Sequence, residues 1–412
     1  MKIYKFTSPS THFVRTRILV SALCFLCALC GQSSAQDFKT VHDGIEYAEV
    51  TKEISGLKVN MNLLRLDLTK VRLDVHHAMD AAIGTEKTSS IATRHGAVAA
   101  INAGFFRLDT SIWAGDPTGV LIIDGILWSE SSNKRIALHI ENEKKVTTAD
   151  FGHVETKVPL RLTEATNYVD ASGIDKERKP NEIIVYNPYF GPSTLTKPDG
   201  LEILFSKCKS NDHFGGTGNI ICRQAEIHEK SGNSVIPKDG RIVSIGSEAL
   251  DENTKALLLQ SFDRNHKKRT NMLFHDIIKF GGLDLLADKN SDTVAGVPQL
   301  IKNGKIDITW EQEKTTKSFV ETRHPRTAVA KLKDGKFLMI TVDGRSESSG
   351  GIGLQDLAEY LLSLGATDAM NLDGGGSTTM FLDGKVVNHP SDKEGERKVS
   401  DAILVTPRKK KN

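Results

Sequence analysis

What this 412-residue sequence lacks narrows its function before any motif is read. Beyond residue 35 no apolar run approaches the roughly 20 residues that span a bilayer, so no transmembrane segment is expected. Gly-x-Ser-x-Gly is absent, which argues against a serine hydrolase built on a nucleophile elbow. His-Glu-x-x-His is absent, and no Cys-x-x-Cys follows residue 35, which lowers the case for zinc. A surplus of either charge is missing too. The chain has 54 Lys and Arg against 52 Asp and Glu, and leaving out the four basic residues before position 36 gives 50 against 52. That balance argues against a general nucleic-acid binder. No Pro- or Ser-rich linker divides the chain after residue 35.

Cysteine is scarce, and its placement is informative. Cys24, Cys27 and Cys30 lie in residues 1–35, which read as a secretory signal. Lys2, Lys5, Arg15 and Arg17 supply its charged start, Ile18 to Cys30 its apolar stretch, and Ser33 and Ala35 the small residues before cleavage at Gln36. An exported chain, periplasmic or secreted, is therefore expected. Only Cys208 and Cys222 remain, an even pair expected to close a short loop as a disulfide in an oxidising compartment. Residues 408–412 read as a solvated basic tail.

Alternating apolar residues predict strands through Ile45 to His77, and residues 36–94 read as a strand-rich lead-in to the same body as 95–407. Apolar runs at Ala97–Ile101, Gly119–Ile123, Ile183–Tyr186, Leu201–Phe205, Ile220–His228 and Phe337–Val342 predict further strands. Helical spacing appears at Thr88–His95 and Glu252–Arg264. It is clearest in Leu354, Leu357, Ala358, Leu361 and Leu362, closed by Gly365. Three times an apolar strand meets a Gly-containing corner, at Asn102–Gly104, Gly281–Gly282 and Asn371–Gly376, and a later strand then ends in a turn at Asp124, Asn303 or Asp383. The expected class is α+β (mixed α/β), a strand-rich central sheet with flanking helices and a weak internal repeat of strand–Gly corner–strand units.

Four clusters could carry chemistry. They are Asn102 with Phe105 and Phe106; Arg323-His324-Pro325-Arg326-Thr327; Asp343-Gly344-Arg345; and Asn371-Leu372-Asp373-Gly374-Gly375-Gly376-Ser377. Each has a plain reading: Phe105 and Phe106 as core, His324 as surface, Asp343 as an Asx turn. Together they say more. Arg326 and Arg345 suit a phosphate or carboxylate, and the amides of Gly374, Gly375 and Gly376 can add donors. Asp343 and Asp373 provide two carboxylates, the minimum for acid–base or nucleophilic work at an acetal carbon. The glycine run precedes a strand, whereas a dinucleotide or P-loop fingerprint opens a helix.

These residues resemble the phosphodiester glycosidase family. The likeness rests on Ala100-Ile101-Asn102-Ala103-Gly104-Phe105-Phe106, His324-Pro325-Arg326-Thr327-Ala328-Val329, Val342-Asp343-Gly344-Arg345, Asn371 to Thr378, and Val387-Asn388 with Pro390 and Ser391. The motifs fall in order over most of residues 95–405. Ala103 stands where the family often has a second glycine, and Gly281-Gly282 is set some fourteen residues ahead of Gly296.

The resemblance implies hydrolysis of a sugar-1-phosphodiester at the C1–O bond, leaving a phosphomonoester. It casts Asp373 and Asp343 as catalytic groups. Asn102, Arg326, Thr327, Arg345, Asn371, Gly374–Gly376, Ser377 and Asn388 become the substrate-binding set. No cofactor is required by the sequence, although a divalent cation, calcium or magnesium, fits two aspartates. The alternatives are a non-catalytic carbohydrate- or cell-wall-binding protein and a divalent-metal-dependent phosphodiesterase. The expected partner is a glycan or sugar-1-phosphodiester.

Overall fold

Strands, not helices, make this molecule. A computed structural model describes residues 37–162, 169–210, 219–261, 272–285 and 289–408. The candidate signal (1–35), the last turn of the Glu252–Arg264 segment and residues 409–412 of the tail lie outside them. About 47% of the described residues are strand and 11% helix, which corrects the α+β expectation to a mostly β architecture. Among the described residues the α-helices are few and short: Thr88–Arg94, Glu252–Ser261, Lys317–Glu321 and Leu354–Ser363. They are too small to form layers, and among the described residues the strands pair antiparallel except for the short contact of Gly173–Ile174 with Ile183–Tyr186. One helix with clean 3.6-residue spacing does not make a layer.

An eight-stranded sheet runs in spatial order Lys39–His42, Ile45–Ile54, Leu57–Leu66, Phe337–Val342, Arg326–Leu332, Ala366–Asn371, Gln299–Lys302 and Lys305–Ile306. Its centre is buried on both faces, which is why Phe337–Val342 is apolar throughout instead of alternating. On one face the helix Leu354–Ser363 lays Leu354, Leu357, Ala358 and Leu361 against Leu63, Ala328, Leu338 and Ile340. Each leucine buried this way contributes about 2 kcal/mol. On the other face Leu64, Val329, Met339 and Met370 meet residues of two more sheets.

One of these is a five-stranded sheet, ordered Lys385–Val386, Met380–Leu382, Ala99–Asn102, Asp401–Pro407 and Val71–His77. The other has seven strands, with Ile136–Asn142 and Thr147–Lys157 near its middle. Val71–His77 shows the strict inside–outside alternation its sequence predicts. Of the three glycine corners, two meet: Asp373 N–H donates to Ala103 O at 2.9 Å. The third, Gly281–Gly282, is only the turn between Ile277–Phe280 and Leu283–Asp284. Cys208 and Cys222 are disulfide-bonded across a separation of 14 residues.

Candidate active site

Antiparallel pairing explains why distant motifs converge. Arg326–Leu332 lies between Phe337–Val342 and Ala366–Asn371, with Arg326 opposite Val342 and Ala328 opposite Asn371. The start of the middle strand therefore sits beside the ends of both neighbours, gathering Thr327, Asp343, Arg345 and Asn371. In the five-stranded sheet, Ala99–Asn102 likewise ends beside the starts of Met380–Leu382 and Asp401–Pro407. Residues Leu372–Thr379 cross from one sheet to the other, tied by Leu372 N–H to Thr327 O at 2.8 Å and by Thr379 N–H to the Asn102 side-chain oxygen at 3.0 Å.

Asn102 is the strut at this crossing. Its Nδ2 donates to Asp373 O at 2.7 Å, and its Oδ1 accepts from the Thr327 hydroxyl at 2.8 Å as well as from Thr379. Asn388 is similarly engaged: Oδ1 accepts from Met380 N–H at 2.7 Å, and Nδ2 donates to Thr378 O at 3.0 Å and Asp343 Oδ1 at 3.4 Å. Both asparagines, and Thr327, hold the site together with the groups a sugar would need. Asn371 differs. Its Nδ2 donates to Val297 O and Leu372 O, while its Oδ1 is buried without a partner. So are the hydroxyl oxygens of Ser377, Thr378 and Thr379. Four unpartnered buried oxygens within nine residues are unusual, because such groups are nearly always paired.

The cations form one flank. Arg326 is fully buried and donates to the backbone oxygens of Phe319 (2.6 Å), Thr322 (3.0 Å) and Ile352 (3.4 Å). Burial, then the nearby Arg345 charge, brings its pKa down to about 10. Arg345 is exposed, has a left-handed φ of 59°, and lies 3.4 Å from His324 Nδ1. Among the described residues it has no carboxylate partner. His324 is held below its ordinary pKa by burial and by both arginines. Two guanidiniums and an imidazole with no acid between them favour an anion.

Asp373 supplies a buried acid to the same site. Its carboxyl accepts from Gly374 N–H at 2.9 Å, and its pKa is pushed up to about 7. Burial is the main cause. The Gly374 bond, the neighbouring Ser377 hydroxyl (which misses hydrogen-bond geometry) and the Arg397 charge oppose the shift, while Asp401 adds to it. The glycines make room for these neighbours. A side chain on Gly375, itself at φ 60°, would meet Arg345 Nη2 at 3.1 Å, and one on Gly376 would collide with Arg397 and Asp392. Two of the three amides are spent inside the protein, Gly374 on Asp373 and Gly375 on Pro325 O.

Asp343 is brought into the site but not against Asp373. It accepts from His389 N–H at 3.0 Å and from Asn388, and burial raises its pKa. The carboxylate beside Asp373 is instead Asp401, which sequence reading missed. Fully buried, it accepts Gly104 N–H at 2.5 Å and the Ser400 hydroxyl at 2.6 Å, and stands opposite His77 on the next strand. Arg397, paired with Asp392 at 2.7 and 2.9 Å, was missed as well. An acid opening the apolar run Ala402–Val405 was the available signal.

Residues 219–406 match the family model described as phosphodiester glycosidase. A 108-residue stretch is 40% identical to N-acetylglucosamine-1-phosphodiester alpha-N-acetylglucosaminidase of Bos taurus, covering 24% of this chain and 20% of that one. The chain thus spans about a fifth of that animal relative's length. An uncharacterized Rickettsia conorii protein is 28% identical over 262 residues, 61% of this chain and 77% of its own. A hypothetical protein of Synechocystis shares the fold, with a TM-score of 0.70 at 21% identity over 91% of this chain and 64% of the other. No helix among the described residues is long and apolar enough to cross a membrane.

Proposed function

We propose that this protein is an exported hydrolase that cleaves the C1–O bond of a sugar-1-phosphodiester, releasing the sugar and a phosphomonoester. Its phosphodiester glycosidase homology supports hydrolysis of that class of substrate. The observation that carries the finer reading is the pairing of an acid-free cationic flank, Arg345 with His324 and Arg326, with a buried carboxyl whose pKa is about 7. The phosphodiester, a monoanion, sits on Arg345 and leaves with the C1–O bonding pair as a phosphomonoester dianion, which reduces the need for a general acid. Asp373, ionised, takes the proton of the water whose oxygen bonds to C1 as the C1–O bond breaks. Asn371 Oδ1 and the Ser377–Thr379 hydroxyls are offered to sugar hydroxyls. The N-terminal 35 residues support export.

A screen of sugar-1-phosphodiesters in ¹⁸O-labelled water tests this. Label in the C1 hydroxyl of the released sugar is expected. Label in the phosphate instead would refute C1–O cleavage and favour a phosphodiesterase, and binding without turnover would favour a carbohydrate-binding protein.

A further inference from the structure

We propose a divalent transition-metal site at His76, Asp80 and His95, at the edge of the face of the five-stranded sheet that the helix Thr88–Arg94 covers. Three elements bring the donors together. His76 is near the end of Val71–His77 and points to the opposite side from the fully buried His77. His95 is the residue at which the helix Thr88–Arg94 stops, and Asp80 follows in the short turn Ala78–Asp80. Their potential ligand atoms all lie within 4.8 Å of one another, the one such group of three among the described residues. Asp343 and Asp373, expected as oxygen ligands for calcium or magnesium, belong to no such group.

Two imidazoles and a carboxylate form a borderline donor set that suits zinc, nickel or copper better than calcium or magnesium. The His76 and His95 rings stack with centroids 3.6 Å apart at 21°. No hydrogen bond to either His76 nitrogen occurs among the described residues. His95 Nε2 lies 3.1 Å from Asp80 Oδ1, two atoms a metal would share. The carbonyl end of the helix also favours a cation. The opposing element is Arg94, which pairs with Glu86 and with the other Asp80 oxygen, Oδ2. This donor set has no spacing motif in the sequence. A bound ion would pin the helix end to the strand that carries His77 towards Asp401.

Calorimetric titration of tag-free, chelator-stripped protein with zinc chloride tests the site, with cobalt(II) absorption reporting geometry. One ion per chain is expected. His76→Ala and His95→Ala should each weaken binding at least about tenfold, the range seen when even an outer partner of a metal is lost. His153→Ala, on another sheet, should leave it unchanged, and the exposed Asp80→Asn should weaken it if a histidine variant fails to fold. No saturable binding below millimolar zinc, or zinc binding indifferent to either histidine, would overturn the site. None of these readouts depends on hydrolytic activity.

Discussion

Asp373→Asn should trade activity for stability, and the trade should depend on pH. In the folded chain this carboxyl titrates at about 7 instead of 3.8, chiefly because it is buried. Between those values the unfolded chain has released its proton while the folded chain keeps it. Stability therefore falls as pH rises from 3.8 to about 7, and the full penalty remains above that. At about 1.36 kcal/mol per pH unit the ceiling is roughly 4 kcal/mol. Asp373 keeps some contact with solvent, which screens its charge, so about 2 kcal/mol is expected. Asparagine matches the shape and can still accept the Gly374 N–H, but carries no charge to desolvate. The variant should melt a few degrees higher than the parent at pH 8 and at the same temperature at pH 4, by circular dichroism. Release of sugar from a sugar-1-phosphodiester should be lost at both. A variant less stable at pH 8, or offset equally at every pH, would refute the electrostatic reasoning. Full activity would remove Asp373 from the chemistry.

Other substitutions separate binding from scaffold. Arg345→Lys keeps the charge but loses the planar fork, so KM should rise about tenfold with melting unchanged; an unaltered KM would exclude Arg345 from phosphate binding. Asn102→Ala deprives Thr327, Thr379 and Asp373 of partners, and roughly 2–4 kcal/mol of stability should go with them in urea unfolding. If activity falls without a stability loss, Asn102 contacts substrate rather than holding the crossing. Replacing Cys208 and Cys222 by serine opens a loop of separation 14 and should cost roughly 3 kcal/mol, with catalysis of the intact fold unaffected.

Much of the strand pattern was legible because local rules act there. Val71–His77 alternates because one face is dry, and Leu354–Ser363 repeats every 3.6 residues because one stripe is. The hairpin turns at Asp124, Asn303 and Asp383 have left-handed φ values near 50°, as their Asp-Gly and Asn-Gly pairs require. The error in fold class came from the same source: local periodicity does not say how many elements share a sheet or in which direction they pair. The disulfide was legible by elimination, since only two cysteines follow residue 35.

The sequence by itself determined the ingredients of the site: Asn102, the Pro325-Arg326-Thr327 and Asp343-Gly344-Arg345 segments, and Asp373 ahead of three glycines. Tertiary structure alone decided their duties. Antiparallel register set the start of one strand beside the ends of two others, and the crossing segment placed Asp373 beside Asp401, not Asp343. It also spent Asn102, Asn388 and much of Arg326 on backbone groups, and left Asn371 Oδ1 and three hydroxyls without partners. Hydrogen-bond partners and burial are properties of neighbours in space, and no spacing along the chain encodes them.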